Sequence, residues 1–255
     1  MKFASFPKFS LLSLLAGVLA LALAGCGGTS NLALTQGNWL VTAVSGGSAG
    51  TFVIGGNLTQ SKSTLSGTMY VTGSLCFDSS QSVTMTGTVK GNKVTLISAA
   101  VKGQVITISA TGAISSLTGT YTIAGGCAAG DHGAVTADAV ASLSGTWNGA
   151  LLVNTAPVAV SFALTQAATA SPDGTFALTG TVTYTGSTCS STASIINPST
   201  VAGSELAINA DLGTGSFNYT ASLDNPTTPK TISGIYSVSD SCASDADQTV
   251  TLTKQ

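Results

Sequence analysis

The sequence is short of charge and lacks the residues that usually contact nucleic acids. It has no arginine, one histidine (His132) and one glutamate (Glu205), and only 7% of its 255 residues are charged. Nucleic-acid-binding proteins neutralise phosphates with Lys and Arg, so we expect no nucleic-acid partner. Disordered chains combine low hydrophobicity with high charge, whereas 44% of this chain is hydrophobic. An ordered β structure is therefore favoured.

The N-terminal 25 residues are typical of an export signal. Lys2 and Lys8 precede an apolar run, residues 11–24, that is too short and too rich in small residues to be a stable transmembrane span. The run ends in Leu23-Ala24-Gly25-Cys26, which resembles the lipobox of bacterial lipoproteins. That resemblance implies cleavage before Cys26 and a diacylglycerol thioether on its sulfur. The alternative is an ordinary secretory signal with a chance cysteine.

The lipobox resemblance also implies where the protein is located. A lipidated Cys26 would make the membrane a partner and residues 26–36 a lipidated tether. Gly27 stands where an aspartate would hold a Gram-negative lipoprotein in the inner membrane, so the expected location is the outer membrane of the cell envelope. Removing Lys2 and Lys8 with the leader leaves six basic and ten acidic residues, a net charge near −4.

Apolar residues alternate with Thr and Ser along most of the mature chain. Period two with β-branched residues is typical of strands that bury one face. Lys90-Gly91-Asn92-Lys93 separates two such runs, and Gly-Asn is a tight-hairpin signal. The class is therefore predicted to be all-β and antiparallel. The clearest alternating runs are residues 83–89, 94–96, 105–108 and 249–253.

Self-comparison divides the chain into two homologous halves, a β domain at 37–142 and a repeat of it at 143–255. Each half contains about eight strand-like runs, which favours an up-and-down barrel, with a two-sheet sandwich as the alternative. The matching segments are Trp39 in GNW with Trp147 in GTW, LSGTMYVTGSLC (65–76) with LTGTVTYTGSTC (178–189), and LTGTYTIAGGC (117–127) with ISGIYSVSDSC (232–242).

The opening GTW-type turn and the strand number of each half resemble the small barrels of the avidin and lipocalin superfamily. The ligand-binding aromatics of avidins are not present in matching number. As a whole, the chain resembles the duplicated Ser/Thr/Gly-rich lipoproteins of bacterial envelopes, which have no assigned activity. This second resemblance covers the full length and implies almost nothing about chemistry.

Besides Cys26, the four cysteines fall two per half at matching places. Cys76 and Cys127 are 51 residues apart, and Cys189 and Cys242 are 53 apart. The envelope is a disulfide-permissive compartment, so the natural pairing is within each half, although four cysteines allow three connectivities. The spacing is not Cys-x-x-Cys, as a redox pair would need, and zinc would need further His ligands. We expect two structural disulfides.

Candidate catalytic and metal sites are weak, and we expect no enzyme, cofactor or metal. Residues 46–50 fit the G-x-S-x-G nucleophile elbow at Ser48, with Asp131 and His132 to complete a triad. That motif needs a strand-to-helix turn, and no helix is predicted there, so a hairpin loop is favoured. Adjacent Asp131 and His132 would also point opposite ways in an extended segment.

Acidic residues offer two further alternatives. Asp240, Asp245 and Asp247 could bind calcium, but the EF-hand spacing is missing and Asp is a common turn former. Glycoside hydrolysis uses paired carboxylates, and Glu205 is the only glutamate.

Two functions from different classes therefore remain open. The first is a lipid-anchored structural or interaction module. The second is a barrel that encloses a small apolar ligand, as eight-stranded barrels can. Trp39 and Trp147 are predicted to close one end of each barrel, with ligand stacking as the rarer alternative. The aromatics in alternating runs are predicted to be core, namely Phe52, Tyr121, Phe162, Phe217 and Tyr236.

Overall fold

The computed structural model describes residues 30–47, 49–74, 76–77, 82–153, 156–185, 192–213, 215–239 and 244–255. All the regular secondary structure in these ranges is β-strand, which confirms the predicted all-β class. The sixteen strands are β1 Gly37–Ser45, β2 Phe52–Ser61, β3 Thr64–Thr72, β4 Ser82–Lys90, β5 Lys93–Ser98, β6 Val105–Ala113, β7 Ser116–Ala124, β8 His132–Ala139, β9 Gly145–Val153, β10 Ala156–Gln166, β11 Phe176–Thr185, β12 Thr192–Ala202, β13 Glu205–Asp211, β14 Ser216–Leu223, β15 Thr231–Ser239 and β16 Ser244–Lys254.

The strands form two closed antiparallel barrels of eight strands each. In barrel 1, β1 to β8 follow one another around the sheet, and β8 pairs back onto β1 with Trp39 opposite Ala139. In barrel 2, β9 to β16 do the same, and Lys254 of β16 lies opposite Trp147 of β9. The up-and-down barrel is thus confirmed over the sandwich. Closure leaves neither sheet with a free edge strand.

Period-two alternation accounts for these strands. In β4, Val83, Met85 and Val89 are buried, whereas the intervening threonines are exposed. Burying a side chain of this size contributes about 1.5–3 kcal/mol. A one-residue slip would exchange the two faces, so the pattern also determines the register.

Large side chains occupy the interior of both barrels. In barrel 1 the rings of Phe52 and Tyr121 meet edge to face at 5.2 Å. In barrel 2 Phe217 stacks on Tyr236 at 6.0 Å and packs against Phe162 at 5.8 Å. All five are buried, which confirms their prediction as core residues.

Trp39 and Trp147 are buried at equivalent places, near the start of β1 and β9. The indole N–H of Trp39 donates to the carbonyl of Thr35 at 2.8 Å, and that of Trp147 donates to the carbonyl of Leu143 at 2.9 Å. A buried indole needs an acceptor for its N–H. The segment before each first strand supplies one, so the tryptophans have a structural role.

The two ends of barrel 1 differ. At one, called the turn end, two-residue hairpins join β2 to β3, β4 to β5 and β6 to β7. The opposite one, called the loop end, has longer connections. Residues 31–36 lie on the turn end, where the Leu32 N–H donates to Gly91 and the Thr35 N–H donates to Ile114. Within the predicted tether at 26–36, residues 31–36 are thus docked on barrel 1 by backbone hydrogen bonds, whereas residues 26–29 lie outside the described residues.

The loop end of barrel 1 contains the disulfide. Cys76 and Cys127 are bonded, with their Cα atoms 5.6 Å apart, which confirms that pairing. Buried Gln104 donates to the Cys76 carbonyl at 3.0 Å and accepts from the Ala128 N–H at 2.9 Å. Closing a loop of this length stabilises a domain by about 4 kcal/mol in the chain-entropy model. Cys26, Cys189 and Cys242 lie outside the described residues.

Candidate functional site

The two barrels are joined by a buried polar contact. The Asn38 side-chain amide donates to the Gly203 carbonyl at 2.9 Å, and its oxygen accepts the Gly203 N–H at 2.7 Å. Asn38 is only 5% exposed. Removing one partner of a buried hydrogen bond leaves the other unsatisfied, at a cost of about 1–3 kcal/mol. This two-bond contact therefore fixes how β1 sits on the turn between β12 and β13.

Glycines allow the barrels to approach closely beside this contact. A Cβ on Gly203 would lie 2.7 Å from the Cα of Gly55 and 3.1 Å from Cδ1 of Leu40. A Cβ on Gly174 would collide with the carbonyl oxygen of Thr68. Backbone meets backbone at these positions, and only glycine fits. The junction therefore depends on glycine at these positions.

A groove of about 370 Å³ opens between the barrels next to this junction. We call it the inter-barrel groove. Ligand sites in proteins typically have volumes of about 300–1,000 Å³ and largely apolar walls. This groove therefore has the size and the walls of a small-molecule site. Its apolar walls include Leu40, Val53, Pro198, Ala202 and Leu206, and its polar groups include Tyr70, Asp173 and Glu205.

Asp173 is held in a fixed position at the groove. Its Oδ1 accepts the Thr175 N–H at 3.1 Å and the Thr175 hydroxyl at 2.9 Å, and its Oδ2 accepts the Tyr70 hydroxyl at 3.2 Å. Burial by itself raises the pKa of Asp173, but these hydrogen bonds outweigh it and the pKa lies below 3.8. The pKa of Tyr70 is raised by burial and by the Asp173 charge. Asp173 is therefore an anion at neutral pH.

Glu205 is the second carboxylate of the groove. Among the residues that the structure describes, none donates a hydrogen bond to its carboxylate. Although much of the side chain is open to solvent, partial desolvation raises its pKa above 4.5. The barrels thus bring Glu205 and Asp173 to one groove with pKa values displaced in opposite directions. No motif in the sequence pairs these two residues.

The predicted elbow residues do not form a described triad. Ser48 lies outside the described residues. Asp131 is 4% exposed and accepts hydrogen bonds from the Ser45 hydroxyl at 2.8 Å and the Tyr121 hydroxyl at 3.1 Å. The backbone N–H of Ala49 also donates to it, at 3.2 Å. Asp131 therefore holds the β1–β2 loop against the barrel through hydrogen bonds.

The environments of Asp131 and His132 confirm that adjacent side chains diverge. His132 is exposed, and its Nδ1 lies 3.1 Å from the Gly130 carbonyl oxygen. Burial raises the pKa of Asp131, but hydrogen bonds from Ser45, Tyr121 and the backbone outweigh it and hold the pKa below 3.8. The carboxylate is thus ionised and its acceptor sites are used within the barrel. It does not orient the His132 ring.

The predicted calcium residues are only partly covered. Asp240 and the side chain of Asp245 lie outside the described residues, whereas Asp247 has a left-handed backbone with φ 57°. Across the described ranges, no three His, Cys, Asp or Glu side chains come together as a metal site would need. In those same ranges, no helix is long and apolar enough to cross a membrane.

Comparison with known proteins gives no relative. No family model matches the chain, and neither a curated protein nor a solved structure matches it. The sequence feature that relates to the inter-barrel groove is a set of differences between the two homologous halves. Asn38 corresponds to Thr146, and Gly55 corresponds to Ser161, because each pair takes the same place in the aligned β1–β2 and β9–β10 hairpins. Both of these differences between the halves lie where the barrels meet.

Proposed function

We propose that the chain is a lipid-anchored protein of the cell envelope, held through Cys26 at the outer rather than the inner membrane, with a structural or interaction role and no catalysis. The observation that supports this is the joining of two filled barrels into one body by Asn38, Gly55 and Gly203. A body joined in this way keeps its outer surface fixed. Fixed surfaces suit contacts with partners, since little ordering entropy is lost on binding.

The outer surface supports the same proposal. Thr84, Thr86 and Thr88 project outward from β4, and Thr118 and Thr120 project outward from β7. Hydroxyls cover these faces, and charge is sparse. A surface of this kind has weak long-range attraction for charged molecules, so recognition would depend on shape and short-range contacts.

The filled interiors argue against the alternative of a small apolar ligand enclosed in a barrel. The centre of barrel 2 is occupied by the mutually packed rings of Phe162, Phe217 and Tyr236. A ligand there would have to displace these rings, and emptying a core position costs several kcal/mol. A small ligand would instead have to lie outside the barrels.

The test is production of the full chain, leader included, in a Gram-negative host, followed by membrane fractionation and mass analysis of the N-terminal peptide. We expect a diacylglycerol-modified Cys26 and a membrane-bound protein. Cys26→Ala should leave the membrane fraction or retain its leader. Gly27→Asp is the matched variant, and it should keep the lipid but move the protein to the inner membrane. An unmodified Cys26, or a Cys26→Ala variant that fractionates like the parent, would contradict the proposal.

A further inference from the structure

The inter-barrel groove combines apolar walls with negative charge. Leu40 and Val53 of barrel 1 face Leu206 of barrel 2 across it, while Asp173 and Glu205 supply two carboxylates. No Lys or His is among the described residues that line it. A carboxylate at an apolar wall is favoured when a positive charge approaches it, because desolvation strengthens the attraction.

The two carboxylates are not equivalent. Asp173 already accepts three hydrogen bonds, from Thr175 and Tyr70, and these fix its position. The carboxylate of Glu205 is free to accept, since no described residue donates to it. The groove therefore has one carboxylate held by hydrogen bonds, Asp173, and one that is available to a ligand, Glu205. Tyr70 also lines the groove, and cations are attracted to aromatic rings.

We propose that the inter-barrel groove binds a small organic cation, an ammonium group carried on an apolar body. The apolar body lies against Leu40, Val53 and Leu206. The ammonium lies at Glu205, and the negative charge of Asp173 adds to the electrostatic attraction. A volume of about 370 Å³ suits a ligand of this size rather than a folded partner. This goes beyond the scaffold function and does not depend on the lipid at Cys26.

Three probes of one shape test the charge requirement. They are 2-phenylethylammonium, the neutral 2-phenylethanol and the anionic 3-phenylpropanoate, each titrated calorimetrically into the purified full-length protein at low salt. We expect the ammonium to bind at least about tenfold more tightly than the alcohol, since hydrogen bonds to charged groups are about twice as strong as neutral ones. The anion should not bind.

Variants locate the site. Glu205→Gln keeps the shape of the side chain and removes its charge, so the ammonium should lose about tenfold in affinity while the alcohol is unaffected. Asp211→Asn is the matched control. It removes a carboxylate from the far end of the same strand, where Asp211 is exposed and bonds the Gly213 N–H. Its affinity for the ammonium should equal that of the parent.

The pH dependence gives a second readout. Among the described residues that line the groove, the titratable groups are Tyr70, Asp173 and Glu205. Of the two carboxyl groups, Glu205 has a pKa raised above its ordinary value and Asp173 has a pKa lowered below it. Affinity for the ammonium should therefore fall as the pH is lowered through that raised pKa. In Glu205→Gln this step should be absent.

The proposal is overturned if the alcohol binds as tightly as the ammonium, because the groove is then merely apolar. Equal ammonium affinity in the parent and Glu205→Gln also overturns it, because the cation then binds elsewhere. Failure of all three probes to bind at millimolar concentration overturns it as well. None of these results depends on whether Cys26 carries a lipid.

Discussion

At the residue scale, Asp131 is the one charged residue that is buried among those that the structure describes. Its carboxylate sits at the loop end of barrel 1, 4% exposed, and accepts hydrogen bonds from Ser45, Tyr121 and the backbone of Ala49 and His132. Such a group stabilises a fold only while it is ionised, because its donors are buried with it. The loop between β1 and β2 therefore depends on one charge.

Asp131→Asn should lower the free energy of unfolding at pH 7 by about 2 kcal/mol, since the amide presents an NH₂ group to donors. The effect should depend on pH. The pKa of Asp131 in the folded state lies below its unfolded value of 3.8. Its stabilisation is therefore complete above that value and is lost as the pH falls through the folded pKa.

Urea unfolding of the parent and Asp131→Asn at several pH values measures this difference. The gap between the two free energies should close as the pH falls below about 4. Asp138→Asn serves as the control, because Asp138 lies on the same strand β8 and is partly exposed. A gap that stays constant with pH would show that the carboxylate charge is not what stabilises the loop.

At the element scale, local pattern was enough to predict the strands. Alternation predicted β4, β5 and β6, and the Gly91-Asn92 turn that joins β4 to β5 is present as expected. Period two and turn chemistry act within a few residues, so they are visible in sequence. The number and spacing of the strand-like runs, about eight per half, favour a barrel over a sandwich, and both barrels are closed.

The junction and its groove could not be predicted in the same way. Gly91 and Gly203 begin equivalent hairpin turns and have nearly equal φ values of 61° and 58°. A Cβ on Gly91 would meet nothing within 4 Å, whereas one on Gly203 would meet Gly55 and Leu40. Local sequence specifies the turn in both cases. Which turn docks depends on a surface more than a hundred residues away.

These two turns give a matched test of the junction. Gly91→Ala and Gly203→Ala both place an alanine in a left-handed conformation, which costs about 1–2 kcal/mol in each. Gly203→Ala also forces a methyl group against the Gly55 backbone at 2.7 Å. Overpacking of this kind costs about 1–3 kcal/mol. We expect Gly203→Ala to be the less stable variant by about 2 kcal/mol.

Urea unfolding followed by tryptophan fluorescence measures both variants, because each barrel contains one buried tryptophan, Trp39 or Trp147. Gly203→Ala should also broaden the transition, since barrels that no longer support each other unfold separately. If the two variants lose the same stability, Gly203 does not form a tight contact and does not help to join the two barrels.

At the scale of the whole molecule, the few charges are unevenly placed. The exposed residues Lys62, Lys90 and Lys93 all lie at the turn end of barrel 1, together with Ile114, which is 57% exposed. Residues 31–36 dock on the same end. In the proposed lipoprotein, five peptide units join Cys26 to Asn31 and span at most about 18 Å. The turn end would then be close to the membrane surface.

Basic residues near an anionic bilayer each gain about 1 kcal/mol, so the lipidated protein should place its turn end against anionic headgroups. Lysine acetylation read by mass spectrometry tests this orientation in vesicles rich in phosphatidylglycerol and in neutral detergent micelles. Lys62, Lys90 and Lys93 should react more slowly in the vesicles.

Lys102 is the internal control. It is exposed at the loop end and, like Lys62, has a left-handed backbone, and it should react equally in vesicles and in micelles. Uniform protection of all four lysines would mean that the barrel has no preferred orientation. Protection of Lys102 alone would mean the opposite orientation, with the loop end against the lipid.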